Sequence, residues 1–249
     1  MSRPRVVTLN VASADGRLTP APGVNLMSGD ESWTAMTADL GDPYAWARET
    51  HRPDLLLEGR GSFETVSATE VHERESATPP EGEHHLPVDV VSAPGRRWFA
   101  VVDGPGAVDL RFTEWPDPGW TGWHALVITS RAAPAAHLAL LRERGVPYLV
   151  VGIRHVALER ALELTHWLLG VRSVVCTGGG RLGGALMREG LVDEVDLELL
   201  PWVIGGRGTP ALFDAPPLAS DEWPTRLELL SADVLGGDRV RLRYNVVRP

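Results

Sequence analysis

The sequence predicts an α/β protein of three layers, α/β/α, with a mostly parallel sheet closed by an antiparallel C-terminal hairpin. Three observations carry this. Short apolar, β-branched runs alternate with helical-period runs across the second half, joined by short connections, the pattern of parallel strands covered on both faces. The last 25 residues break that pattern: "TRLELLSADVLGGDRVRLRYNVV" reads as two long strands joined through Gly236-Gly237-Asp238. Between them, "CTGGGRLGGALMREGLVDEV" places three glycines where a strand ends and a helix begins.

Taken in chain order, "RVVTLNVASADGRLT" opens as a strand, with Val7, Leu9 and Val11 alternating and a turn at Asp15-Gly16. Residues 29–50 are rich in helix formers, and Gly41-Asp42-Pro43 divides them into two helices. "DLLLEG" is a short buried strand, after which "RGSFETV" starts another helix. Residues 67–87 are polar, acidic and proline-containing, and read as a surface loop. Strands follow at 98–102, 124–129, 147–151, 173–176 and 194–199, with helices at 133–144, 156–169 and 181–189. No linker or internal repeat divides the chain, so one domain over 1–249 is expected, with 67–96 as a variable surface segment.

Composition excludes several classes. The net charge of −9 argues against nucleic acid or an anionic membrane as partner, since both require a basic face. No apolar run approaches the roughly 18 residues that span a bilayer, and "MSRPRVVTLNV" lacks a signal-peptide core. A cytoplasmic location is therefore expected. The single cysteine, Cys176, rules out an internal disulfide and a multi-cysteine metal site. His72, His84 and His85 lie in the polar loop without a carboxylate spacing that would complete a metal site. All 24 basic residues are arginine, which excludes a P-loop lysine, a Schiff base and a lysine nucleophile.

The glycine turn can be read chemically. Ser173-Val174-Val175-Cys176 is a short buried strand, and Leu182, Ala185, Leu186 and Leu191 then recur at helical spacing. A helix start offers unpaired N–H groups and a partial positive charge, and glycine lets an anion approach the backbone. A tight strand–helix connection is the competing reading. Gly178-x-Gly180-x-x-Gly183 fits the dinucleotide pattern, but that fingerprint belongs to a first βα turn.

Three stretches resemble known families. "EGRGSFETV" resembles the Gly-Arg-x-Thr-Phe/Trp-Glu-Ser signature of dihydrofolate reductases, with Ser62 in place of threonine, and "VITSR" resembles the strand end carrying Ser-Arg in that fold. "GGGRLGGALMREGLVDEVDLELLPWVIGGRGTPALF" is closer to the reductase domain of the riboflavin-pathway deaminase/reductase, whose Ser-x-Asp-Gly-Lys/Arg start "VASADGRLT" also resembles.

That resemblance implies a dihydrofolate-reductase-like fold, NADPH as cofactor and a homodimer. It implies hydride transfer to C1′ of a 5-amino-6-(5-phosphoribosylamino)uracil or a related heterocycle. By its register, Ala12, Gly59, Arg60, Gly61, Ser62, Gly178, Gly179, Gly180, Arg181 and Leu182 hold the cofactor, and Ser130 and Arg131 take the 2′-phosphate. Arg17, Asn25, Arg48, Arg52 and Thr177 fall on the substrate side, and Asp15 is the candidate proton-relay or orienting residue. Each arginine alone also reads as a solvated charge, and Asp-Gly at a strand end also reads as a plain turn.

The chain departs from the family at the substrate. Thr177 stands where the family carries glutamate, and a hydroxyl cannot accept two hydrogen bonds as a carboxylate does. "ETVSATEVHERE" replaces the Asp-Asp-Pro-x-Leu-Thr-x-Arg run, and one cysteine cannot make the deaminase zinc site. Dihydrofolate reduction fits less well, because Glu31 and Asp39 lack the motif that precedes the proton-donating acid of that family. Two other readings stand beside the riboflavin-type reductase: a divergent reductase of another pterin-like or specialised substrate, and a non-catalytic NADPH-binding protein.

Overall fold

A computed structural model describes residues 2–24, 29–63, 84–115 and 118–248. The chain folds as two compact units: Met1–Pro4 with Asp54–Arg172, and Arg5–Pro53 with Ser173–Pro249. Both units are discontinuous in sequence, so a linear scan for linkers has nothing to find.

The first unit is built on four parallel strands, β2 (Leu55–Gly59), β3 (Arg97–Val102), β4 (Trp123–Thr129) and β5 (Tyr148–Val150), in the order β5-β4-β3-β2. Every residue of β4 is buried, as expected of a strand covered on both faces. The register sets Gly59 beside Val102, Val102 beside Ile128 and Ile128 beside Leu149. The carboxyl ends of all four strands are therefore level. Helices α3 (Val88–Val91), α4 (Ala135–Glu143) and α5 (Leu158–Leu169) belong to this unit. Helix α5 buries Leu158, Ala161, Leu162 and Thr165, one stripe at helical spacing, and ends on Gly170 at φ 69°. The free edge of β5 is occupied by His85, whose N–H and carbonyl exchange 2.9 Å hydrogen bonds with Tyr148. Phe99, Trp115, Trp120 and Trp123 pack as a chain of rings 4.9–6.1 Å apart, with Trp120 and Trp123 in the core.

In the second unit the strands run β6-β1-β7-β9-β8. β1 (Arg5–Ser13) lies parallel to β6 (Ser173–Cys176) and β7 (Glu194–Leu200), while β9 (Val240–Val247) pairs antiparallel with β7 and with β8 (Arg226–Val234). The predicted parallel strands and C-terminal hairpin are thus present, with ends within a residue or two of those read from the sequence. The predicted helical stretch after Gly29 is shorter and more broken: α1 (Glu31–Met36), then α2 (Pro43–Trp46) running into a π-helical turn at Ala47–His51. Asp30 caps α1 by accepting the Trp33 N–H at 2.8 Å. Helix α6 (Gly180–Arg188) completes the unit. The helix expected after Arg60 begins as a 3₁₀ turn at Arg60–Ser62; the rest of it and most of the 67–87 loop, His72 included, lie outside the described residues.

Candidate functional site

In the second unit, β6 ends at Cys176, level with Thr8 of β1. Thr177-Gly178-Gly179 then turns into α6, with Gly179 as an N-cap at φ −63° and ψ −178° and no side chain capping it. Gly179 is exposed, and a Cβ there would meet nothing within 4 Å. Open space, glycine and an uncapped start of a nine-residue helix are what an anion needs. The Asn10 side-chain amide lies 3.5 Å from the Gly178 carbonyl and steadies the turn.

Gly180 and Gly184 have a different reason to be glycine. A Cβ on Gly180 would sit 1.9 Å from the Ala211 carbonyl oxygen, and one on Gly184 would sit 2.9 Å from the Ala215 nitrogen. The Asp214 N–H also donates to the Gly180 carbonyl at 2.9 Å. These residues let α6 lie directly on the 211–215 backbone. The sequence held this signal, since Gly180, Gly183 and Gly184 share one helix face at i, i+3 and i+4. Arg181 is exposed beside the turn, whereas Leu182 is buried and acts as core.

On the expected substrate side, Asp15 is a turn anchor. One carboxylate oxygen accepts the Ser13 hydroxyl at 2.6 Å and the Ile204 N–H at 3.0 Å, and the other accepts the Gly205 N–H at 2.7 Å. The Ser13 hydroxyl, then the Ile204 and Gly205 amides, lower its pKa to about 2. A carboxyl held so low stays ionised at neutral pH, which suits orientation rather than proton donation. Arg17 is held by its own bonds, its guanidinium donating to the Thr209 carbonyl at 3.0 Å. Ala12 is buried, Thr177 is half-buried and Arg48 pairs with Asp42 at 2.9 Å. Arg52 ends the π-helical turn in the left-handed region at φ 45° and is exposed. Asn25 lies outside the described residues.

A polar cluster in the same unit escaped the sequence reading. Glu194, Asp196 and Glu198 alternate along β7 and are all buried. Arg243 donates to Glu194 at 2.6 Å and Arg239 to Glu198 at 2.6 Å, while Arg5 also pairs with Glu194 and Arg241 with Glu198. Asp196 takes the Trp46 indole N–H at 2.9 Å and the His51 ring at 2.7 Å, and Arg241 stacks on Trp46 at 3.7 Å. The cluster thus fastens the 43–51 segment, which carries Arg48, to the sheet. Its signal was the "EVDLE" alternation facing the "RVRLR" alternation of β9, a cross-strand pairing that becomes visible only with the register.

In the first unit, the level strand ends bring four connections together. Gly59-Arg60-Gly61-Ser62 leaves β2 with Arg60 and Gly61 exposed, and a Cβ on Gly61 would meet nothing within 4 Å. The Ser62 hydroxyl lies 3.4 Å from the buried Glu58 carboxylate. Beyond β4, the Ser130 hydroxyl donates to the Gly104 carbonyl at 2.7 Å and accepts the Ala132 N–H at 3.2 Å. Ser130 is fully buried and shapes the turn, whereas Arg131 is exposed, its N–H bonded to the Gly152 carbonyl at 3.1 Å. Ligands in α/β sheets bind outside such carboxyl ends. Among the described residues no group of three His, Cys, Asp or Glu is placed to hold a metal ion, and no helix is long and apolar enough to cross a membrane.

Comparison with known proteins adds the family. Residues 4–240 match the RibD C-terminal domain. The chain is 29% identical over 248 residues, 98% of its length and 99% of the relative's, to the 2,5-diamino-6-ribosylamino-4(3H)-pyrimidinone 5′-phosphate reductase of Methanothermobacter thermautotrophicus. Its fold is similar to that of a pyrimidine reductase-like protein from Corynebacterium diphtheriae, with a TM-score of 0.66 at 19% identity, covering 99% of this chain and 93% of that one. Acinetobacter baumannii RibD gives a TM-score of 0.62 at 20% identity, covering 99% of this chain and 59% of that one.

Proposed function

The chain belongs to the RibD C-terminal domain family, and we propose from this that it is a riboflavin-pathway pyrimidine reductase that uses NADPH. The observation that carries the reading is the end-to-end correspondence with a reductase of the same length. That relative is named for a diamino-pyrimidinone ribosylamine phosphate, so the substrate assigned to this chain is an aminopyrimidine bearing a phosphorylated ribosylamine. The 2-amino compound and its 2-oxo counterpart, the uracil, are the two forms to compare. Thr177 suits either ring edge, because a hydroxyl both donates and accepts where a carboxylate only accepts.

Bound NADPH supplies the hydride that reduces C1′ of the opened ribose. The residues of the chain fit such a cofactor. In the second unit Gly179 leaves room for a phosphate at the start of α6, with Arg181 alongside. In the first unit Arg60 and Gly61 present an exposed turn, and Arg131 is the candidate for the 2′-phosphate, since a guanidinium forks onto phosphate oxygens. Gly59, Ser62 and Ser130 belong to these turns, and Ala12 is buried in β1. Asp15 orients the loop across to Ile204 and Gly205 and stays ionised. Arg17, Arg48 and Arg52 are the cations assigned to the substrate side.

The same reading assigns a homodimer and a cytoplasmic location, where NADPH and pathway intermediates are drawn on. Support for the dimer is the edge strand β8, on which Leu229 is 55% and Val234 85% exposed. Exposed apolar edges of this kind invite strand pairing unless covered. Leu229→Glu should shift the molecular mass measured by light scattering from dimer to monomer.

The deciding experiment incubates the protein with NADPH and each pyrimidine form, following the loss of reduced-nicotinamide absorbance. Oxidation with one form assigns the substrate. Tight NADPH binding without its oxidation in the presence of either pyrimidine would favour the cofactor-binding reading, and a protein that does not bind NADPH would refute the proposal.

A further inference from the structure

Asp103 and His137, in the first unit, have no part in the chemistry above and are both almost wholly buried. Asp103 follows β3. One carboxylate oxygen accepts the N–H groups of Ala107 at 2.6 Å and Val108 at 2.8 Å, which curls residues 103–108 into a closed loop. The His137 ring lies beneath that loop, its Nε2 3.8 Å from the same oxygen, too far for a direct hydrogen bond. The other Asp103 oxygen and both His137 nitrogens have no protein partner among the described residues. Three such atoms in one buried place are unusual for a native core and ask for a reason.

The surroundings supply one. Gly106 sits at φ 68°, and a Cβ there would lie 2.5 Å from the Ala133 Cβ and 3.1 Å from the His137 ring. The loop therefore rests directly on Ala133, just before α4, and on His137. In return, Thr129 donates its hydroxyl to the Asp103 carbonyl at 2.6 Å, and Ser130 donates to the Gly104 carbonyl at 2.7 Å. Asp103, His137 and the Thr129–Ser130 corner form one knot, and the exposed Arg131 follows it directly. Moving the ring moves the loop, and with it the carbonyl that sets the direction of the Ser130–Arg131 turn.

We propose that Asp103 and His137 are a positioning pair for nucleotide recognition, holding the Ser130–Arg131 turn so that Arg131 meets the 2′-phosphate of the cofactor. This rests on the NADPH reading above. A polar ring at this depth is kept for position and not for packing, because an apolar side chain of similar size would fill the space without leaving unpaired atoms.

The test uses the full-length protein and 2′,5′-ADP against 5′-AMP, two probes that differ by the 2′-phosphate alone, with titration calorimetry as readout. The native protein should prefer 2′,5′-ADP. His137→Leu should reduce that preference about tenfold while leaving 5′-AMP binding within twofold, and His137→Gln, which keeps a donor and an acceptor, should retain most of it. KM for NADPH should rise in His137→Leu with kcat unchanged. If His137→Leu loses both ligands equally, or lowers only the melting temperature, the residue is structural and the proposal is overturned while the NADPH reading stands. If the native protein shows no preference for the 2′-phosphate, the NADPH reading falls and takes the proposal with it. Should His137→Leu not fold, His137→Gln with the preference intact and Asp103→Asn with it reduced would support the pair; an unchanged preference in Asp103→Asn would refute it.

Discussion

Gly179 and Gly180 are adjacent, yet their surroundings are opposite, open space at one and the Ala211 backbone at the other, and two alanine substitutions should separate their proposed roles. In Gly180→Ala the new Cβ would start 1.9 Å from the Ala211 carbonyl oxygen, against the 3.4 Å at which ordinary contact begins. The 211–215 backbone must retreat by about 1.5 Å, the difference of those two distances, and this strains the bond from the Asp214 N–H to the Gly180 carbonyl. Overpacking of this kind costs about 1–3 kcal/mol, and a damaged buried hydrogen bond adds about 1 kcal/mol or more. The gain in helix propensity returns under about 1 kcal/mol. A net loss of about 2–4 kcal/mol should lower the melting temperature by roughly 5–15 °C for a chain of this size. Gly179→Ala meets no atom within 4 Å, and its φ of −63° suits any residue. It should cost about 0.5 kcal/mol in stability as a poorer N-cap, while its methyl group blocks close approach to the helix start. A tenfold loss of NADPH affinity, about 1.4 kcal/mol, is the expected result. Thermal unfolding followed by tryptophan fluorescence and an NADPH titration measure both quantities. A Gly180→Ala protein that melts with the native one would refute the packing assignment. Gly179→Ala binding NADPH at native strength would refute the anion site.

Asp15→Asn tests the anchored turn by pH. The folded carboxyl lies at about 2 against an ordinary 3.8, so its contribution is complete above 3.8 and is lost as the pH falls from there toward 2. The variant should melt earlier than the native protein at pH 7 and converge with it near pH 2; a gap constant with pH would show that the charge is irrelevant. His137 acts in the same direction for a different reason. Burial lowers its pKa below the ordinary 6.5, against the opposing pull of Asp103, with Arg144 lowering and Asp109 raising it further. Stability should therefore fall as the pH drops below 6.5, where the unfolded ring takes up a proton that the folded one refuses, and His137→Gln should flatten that part of the stability curve. Asp196→Ala removes the shared acceptor of Trp46 and His51; breaking a buried polar pair costs about 3 kcal/mol or more, and denaturant unfolding should register it. On the proposed role of Arg48 as a phosphate contact, KM for the phosphorylated pyrimidine should rise as well.

The parallel strands, the hairpin and the glycine turn were legible because each is written locally. "SVVC", "HALVIT" and "LGGD" declare strand or turn within a few residues. The short π-helical turn at Ala47–His51 had no such mark, since it ends on a non-glycine residue at φ 45° and is held by Asp196, 145 positions away from His51. The same difference separates the three glycines. Their sequence shows only that a side chain is unwelcome; whether the reason is a ligand or the Ala211 backbone depends on a segment more than 30 residues downstream.

That difference also explains why the cofactor is easier to read here than the substrate. Phosphate can be held by backbone N–H groups and exposed guanidinium groups at strand ends, so Gly179, Arg60 and Arg131 stand out as candidates by residue type and place. A pyrimidine edge is recognised by side chains converging from distant positions, and their identity matters more than their class. Thr177 is half-buried at the start of the glycine turn, and a hydroxyl both donates and accepts where a carboxylate only accepts. If substrate choice lies with Thr177, Thr177→Glu replaces a group that donates and accepts with one that only accepts. It should then favour the 2-amino pyrimidine over the 2-oxo form by about tenfold in kcat/KM, since a carboxylate accepts from an amino group and repels a carbonyl oxygen. Unchanged ratios in that variant would refute a role for Thr177 in choosing between the two ring forms.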